Sequence, residues 1–177
     1  EPQLPVYMVQ LSSINRPSWP WFRNSQRLMA NSLPHVYMAV SSDVGDSLDV
    51  HPRKKYPVGK RLARLALYHQ YDFKQLTPCG PSVESATKQP NGEVQVCFNW
   101  ADGLKTADGK ALRRFEVAGY DEVFYPAVAN IKDREVRLTC PQVPHPSFVR
   151  YGWQPFTRAN LVNGDDLPAS TFRVEVK

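Results

Sequence analysis

A change of hydrophobic period near residue 79 constrains this chain more than any other feature of its sequence. Before it, two runs that are apolar throughout, Pro5 to Leu11 (PVYMVQL) and Val36 to Ser42 (VYMAVSS), each lead into a stretch of helical period. After Cys79-Gly80-Pro81, apolar and polar residues alternate with period two. Fully apolar strands that alternate with helices belong to parallel sheets covered on both faces, whereas strict alternation belongs to strands with one face buried, as in a β-sandwich. The pattern therefore predicts an α/β unit over residues 1–78 and an all-β unit over 79–177.

Within the first unit, a helix is expected from about Pro20 to Asn31, because proline suits the first turn, where its missing N–H would have no partner. Trp21, Leu28 and Met29 fall on one face of it at helical spacing. Pro57 is expected to open a second helix reaching about Tyr71, with Val58, Leu62, Leu65 and Ala66 as its buried stripe and Lys60, Arg61 and Arg64 outside it. Two parallel strands cannot shield their own faces and edges. The sheet is thus expected to be completed by residues this chain lacks or by a partner.

In the second unit, Ser82 to Lys88 and Glu93 to Asn99 flank Pro90-Asn91-Gly92, a hairpin signal because Asn and Gly tolerate positive φ. Further strands are expected at Arg114 to Ala118, Glu135 to Cys140, Phe148 to Trp153 and Thr171 to Val176, with turns at Asp102-Gly103 and Asp108-Gly109. The chain has 16 prolines in 177 residues, well above the usual share of ~5%, and they sit at segment edges, which favours many short elements.

Charge is unevenly placed. The net formal charge is +5, and residues 1–78 hold 10 basic and 5 acidic side chains while residues 79–177 hold 12 of each. No aromatic residues interleave with the basic ones as stacking platforms for bases, so no nucleic acid is expected. No apolar run approaches the roughly 18 residues of a membrane span, so no membrane is expected either. Cys79, Cys97 and Cys140 are too few and too scattered for a disulfide framework or a local zinc pattern. Cys97 and Cys140 would pair only in an exported protein; buried free thiols are the expected state. The sequence begins at Glu1 without Met, as a mature chain or an excised fragment would.

Reactive residue types concentrate in the loop after the second apolar run, residues 42–55, where open α/β sheets place their ligands. In an extended stretch, side chains two apart point to the same side, so Asp49 can reach the imidazole of His51. A carboxylate bonded to one ring nitrogen fixes the tautomer and leaves the other nitrogen free to act as a base. Gly45-Asp46-Ser47-Leu48 spells the nucleophile signature of a hydrolase class, but Ser47 lies in the same loop only four residues from His51 and is not read as a nucleophile. Arg53, Lys54 and Lys55, beside Lys60, Arg61 and Arg64, form either a patch attracting an anionic sugar or a solvated helix face. Tyr120, Phe124, Tyr125, Tyr151 and Trp153 are of the type that stacks on sugar rings, although a sandwich core uses the same residues. His35, His69 and His145 show no partner pattern, and His69 continues the helix face toward the core.

These residues resemble a family. Val6-Tyr7-Met8-Val9-Gln10-Leu11, then Trp21, Arg23 and Gln26, then Met38-Ala39-Val40, then Gly45-Asp46 with Asp49-Val50-His51-Pro52-Arg53 and Lys55, are similar to the C-terminal part of sialate O-acetylesterases, carbohydrate esterases of the SGNH hydrolase type. The likeness continues through Pro57-Val58-Gly59, Phe115-Glu116-Val117-Ala118-Gly119, Val149-Arg150-Tyr151-Gly152-Trp153, Asn160-Leu161 and Leu167-Pro168-Ala169-Ser170. It implies the last part of an α/β/α hydrolase domain followed by a β-sandwich, and removal of acetyl groups from sialic acid or related sugars by a Ser nucleophile and a His base.

By position, His51 matches the family's catalytic histidine. The wider pattern places Asp three residues before it, where this chain has Leu48, so Asp49 and Asp46 are the candidate partners: Asp49 by the same-side argument, Asp46 because Gly45 permits a turn. Arg53 and Lys55 are the candidate substrate-binding residues. The family's nucleophile and its Gly and Asn oxyanion donors lie upstream of the matched region. The resemblance therefore implies as partners an O-acetylated sugar and an upstream segment of the same precursor or a second chain, with little activity from this chain alone. It implies no metal or organic cofactor, and a secreted, periplasmic or lysosomal location. The competing expectation is a non-catalytic carbohydrate-binding or accessory module in which the sandwich is the working part.

Overall fold

A computed structural model describes residues 4–177. The chain begins with β1 (Val6–Val9), α1 (Trp19–Ser32), β2 (Val36–Ala39) and α2 (Lys55–Gln70). β1 and β2 run parallel, with Tyr7 opposite Tyr37 and Val9 opposite Ala39, and they form a sheet of two strands. α2 packs on this sheet, where His69 stacks on Tyr37 with ring centroids 3.5 Å apart. The parallel pairing expected from two unbroken apolar runs is present, and Leu4, Val6 and Val9 stay exposed along it.

α1 buries a face that differs from the one expected, whereas α2 differs only in its arginines. On α1 the buried residues are Pro20, Arg23 and Arg27, while Trp21 is 54% exposed and Leu28 and Met29 are also open. The apolar arc points outward because the guanidiniums of Arg23 and Arg27 find hydrogen-bond acceptors beneath the helix, a compensation that hydropathy does not register. On α2 the expected stripe faces inward, with Leu65 buried, Val58, Leu62 and Ala66 half-buried and Lys60 exposed. Arg61 and Arg64, expected outside the stripe, are tucked against the protein and paired with Asp43 and Asp165.

From Ser82 onward the chain is antiparallel. The strands are β3 (Ser82–Lys88), β4 (Val94–Asn99), β5 (Lys105–Thr106), β6 (Phe115–Ala118), β7 (Tyr125–Pro126), β8 (Val128–Lys132), β9 (Glu135–Thr139), β10 (Phe148–Tyr151), β11 (Leu161–Val162) and β12 (Phe172–Glu175). They form one sheet ordered β3-β4-β9-β8, a second ordered β12-β10-β6-β7, and a small β5-β11 pair. The core lies between the two larger sheets. Val96, Phe98 and Val136 of one meet Val117, Val149 and Phe172 of the other, and Phe98 packs edge-on against Phe172. This arrangement is compatible with a β-sandwich. The Pro90-Asn91-Gly92 turn forms as expected, with Gly92 at φ 85°.

Tyr151 and Trp153 lie in the interior, whereas Tyr120 is fully open. Cys79, Cys97 and Cys140 are free thiols. Among the described residues no helix is long and apolar enough to cross a membrane.

Candidate active site

The loop following β2 begins with a short 3-10 turn, Ser42–Val44, and runs to the first turn of α2. Two sets of contacts hold it. Below, the Arg61 guanidinium donates to both oxygens of Asp43, at 2.7 and 2.6 Å, and to the Val40 carbonyl at 2.8 Å. Alongside runs the segment after β1. The Asn15 N–H donates to the Ser47 carbonyl and the Ser12 hydroxyl donates to the Val50 carbonyl. Gly45 lies so close to this segment that a Cβ there would fall 2.2 Å from the Ser13 carbonyl oxygen. Any other residue would push the two loops apart.

His51 lies near the end of this loop with its side chain 82% exposed. Asp49 meets it twice. Asp49 Oδ1 accepts the His51 backbone N–H at 2.8 Å and lies 3.2 Å from His51 Nδ1. The pairing arises from this local turn, in which a carboxylate takes the N–H two residues on, and not from an extended stretch. The hydrogen bond from the His51 backbone N–H is the main cause that holds the Asp49 carboxyl below the usual carboxylate range, against a smaller opposing effect of desolvation; the imidazole bond adds to the lowering. The rest of the ring is largely open to solvent.

Asp46 does not share this arrangement. Its Oδ1 accepts the Leu48 N–H at 2.9 Å and closes a turn of its own. Leu48, at the position where the family pattern has Asp, is 91% exposed. Ser47 is half-buried and contributes its carbonyl to the Asn15 N–H. Arg53 and Lys55 are both exposed, Arg53 close enough to favour the Asp49 carboxylate and Lys55 at the first position of α2. Among the described residues no group of three or more His, Cys, Asp or Glu side chains could hold a metal ion.

Several supporting residues escape a reading of the sequence. Ser13 Oγ accepts the Thr157 N–H at 2.6 Å and donates to the Thr157 carbonyl, tying the loop beside His51 to the sandwich. Arg23 is wholly buried and donates to Gly152, Gln154 and Pro155 carbonyls and to the Thr171 hydroxyl. Burial without a carboxylate lowers its pKa to about 10. Gln10 donates to the Arg23 carbonyl and the Ser170 hydroxyl, and its own carbonyl takes the Ser41 hydroxyl at 2.6 Å. The contacts of Ser13 with Thr157, of Arg23 with residues 152–171 and of Gln10 with Ser170 join residues more than a hundred positions apart, so no local spacing announces them.

The fold has a counterpart among solved structures. The chain superposes with a TM-score of 0.89 and 34% identity on the crystal structure of a novel carbohydrate acetylesterase from Xanthomonas citri, over 97% of this chain and 41% of that one. No protein-family model and no curated protein matches the chain. The chain therefore spans about two fifths of the length of this structural relative, and its relationship is to a carbohydrate esterase.

Proposed function

We propose that this chain is the histidine-bearing part of an SGNH-type carbohydrate esterase that removes O-acetyl groups from sialic acid or a related sugar. The observation that carries this reading is the Asp49–His51 pair. A carboxylate fixes Nδ1 at 3.2 Å while the ring projects into solvent from a loop beyond the carboxyl end of a parallel strand. The likeness to a carbohydrate acetylesterase supports the substrate class.

In the reaction, a serine Oγ from an upstream segment of the same precursor, or from a second chain, attacks the acetyl carbonyl as His51 Nε2 takes its proton. The imidazolium, stabilised by Asp49, returns that proton to the departing sugar oxygen. Water then attacks the acetyl-serine, giving its proton to His51, and acetate leaves as the serine is restored. Arg53 and Lys55, exposed a few residues on from the ring, would favour an anionic sugar. Residues 1–78 supply the base and residues 79–177 brace its loop. The proposal also places the protein outside the cytoplasm, in a secreted, periplasmic or lysosomal setting.

The test is acetyl-ester hydrolysis by this chain alone and mixed with the upstream segment of its precursor. Activity that appears on mixing and falls by about 10²–10⁴-fold in His51→Ala supports the proposal. Activity indifferent to that substitution overturns it, and activity of the chain alone makes Ser47 the nucleophile instead.

A further inference from the structure

A second cleft lies away from the His51 loop, along the free edge of β2. It measures about 240 Å³, and Arg27, Asn31, Tyr37, His69 and Trp100 contribute to its lining. This is smaller than the ~300–1,000 Å³ of pockets for drug-sized ligands, so it suits a single small unit.

Three features make it a site. Arg27 is only 5% exposed, yet no described carboxylate forms an ion pair with it. Its Nε and Nη2 donate to Asn24 Oδ1, with a long further bond from Nη2 to the Arg173 carbonyl. Nη1 has no such partner among the described residues, and a buried guanidinium without an anion is costly. Trp100 sits with φ 58°, a left-handed conformation that bulky residues avoid. Its carbonyl is tied to the Asn163 amide at 3.0 Å and its ring packs edge-on against Tyr68, which together hold the indole at the rim of the cleft. Finally, β2 offers main-chain groups. His35 and Ala39 turn their carbonyls to β1, so Val36 and Met38 turn their N–H and C=O groups to the opposite edge, into the cleft. The Cys79 thiol also borders it, but burial pushes it up to about 12, which makes it inert.

We infer that this cleft binds an acidic monosaccharide of the hexuronic type, its carboxylate against Arg27, its ring face on Trp100 and its hydroxyls on the β2 edge and Asn31. The sugar part of this assignment rests on the carbohydrate reading above; the carboxylate part rests on Arg27 alone. The site is separate from the His51 loop, so its failure and the failure of the catalytic reading are distinguishable.

Titration calorimetry of the whole chain with glucuronate, glucose and propionate tests it. The expected result is binding of glucuronate alone, weakened about tenfold or more in Arg27→Gln and in Trp100→Gly, and unchanged in His51→Ala. Glycine suits the left-handed backbone at position 100, so that variant keeps the fold while removing the ring. Equal binding of glucose overturns the carboxylate assignment, and equal binding of propionate overturns the sugar assignment. Absence of glucuronate binding, or its loss in His51→Ala, overturns the site.

Discussion

Arg61 grips Asp43 with a two-pronged hydrogen bond, 2.7 and 2.6 Å, while the same nitrogen that takes one carboxylate oxygen also caps the Val40 carbonyl at the end of β2. One guanidinium on α2 thereby fixes both the exit of the strand and the first turn of the loop that carries His51. Lysine cannot reproduce this, because it offers a point charge in place of a planar fork. Arg61→Lys is expected to cost about 1–2 kcal/mol and to loosen residues 42–50, seen as faster amide hydrogen exchange there than in the sandwich. Unchanged exchange across that loop would show that its shape does not depend on the fork.

Arg23 gives a sterner test of the interior. Its donors all end on carbonyls or a hydroxyl of residues 152–171, with no acidic residue involved. Arg23→Ala strands those acceptors in a dry interior, and a loss of about 2–4 kcal/mol is expected in urea denaturation. A loss below about 0.5 kcal/mol, typical of surface substitutions, would contradict the burial.

Tyr151 probes the opposite side of the same region. Its hydroxyl oxygen accepts the Leu161 N–H at 2.7 Å in a fully buried setting, and burial is the main cause that raises its pKa far above that of a free tyrosine. Tyr151→Phe leaves that N–H unpaired and is expected to cost about 1–3 kcal/mol with the core otherwise intact. Thermal unfolding reads this directly, and an unchanged midpoint would mean that water replaces the hydroxyl.

Acid stability should carry the mark of Asp108. Its carboxyl is pulled down to about 2, first by the Asn160 amide and next by Arg113. Because the folded value lies below the ordinary 3.8, the unfolded chain binds more protons between the two. The contribution of Asp108 is therefore complete above about pH 4 and fades as pH falls toward 2. Urea midpoints measured from pH 5 down to 2 are expected to drop less steeply in Asp108→Asn. An identical slope in that variant would assign the acid loss to other carboxylates.

The amino-acid sequence carries the alternation of β3, β4, β6, β9, β10 and β12 openly, because burial of one face of a strand writes itself as period two. It also carries the parallel β1–β2 pair and the His51 loop. β5, β7 and β11 are two-residue strands, too short for any period to show, and β8 carries no clear period because its Val128 and Ile131 fall out of step with strict alternation. The face of α1 and the arginines of α2 misled for a different reason. Hydropathy assigns arginine to solvent, and only the tertiary structure reveals the carbonyls that receive Arg23 and the carboxylate that receives Arg61. At the site, the spacing of Asp49 and His51 was enough to suggest their contact. The turn that makes it, and the Ser13–Thr157 tie that steadies its surroundings, depend on residues brought together only by folding.

That long-range tie has a practical consequence for anyone dividing the molecule. Cutting the chain after residue 78 would sever Ser13 from Thr157 and uncover Arg23 on the helix surface with its acceptors gone. The histidine segment would then have to be carried with its all-β companion in any expression design, and a swap of that companion for a foreign sandwich would disturb the loop that presents the ring.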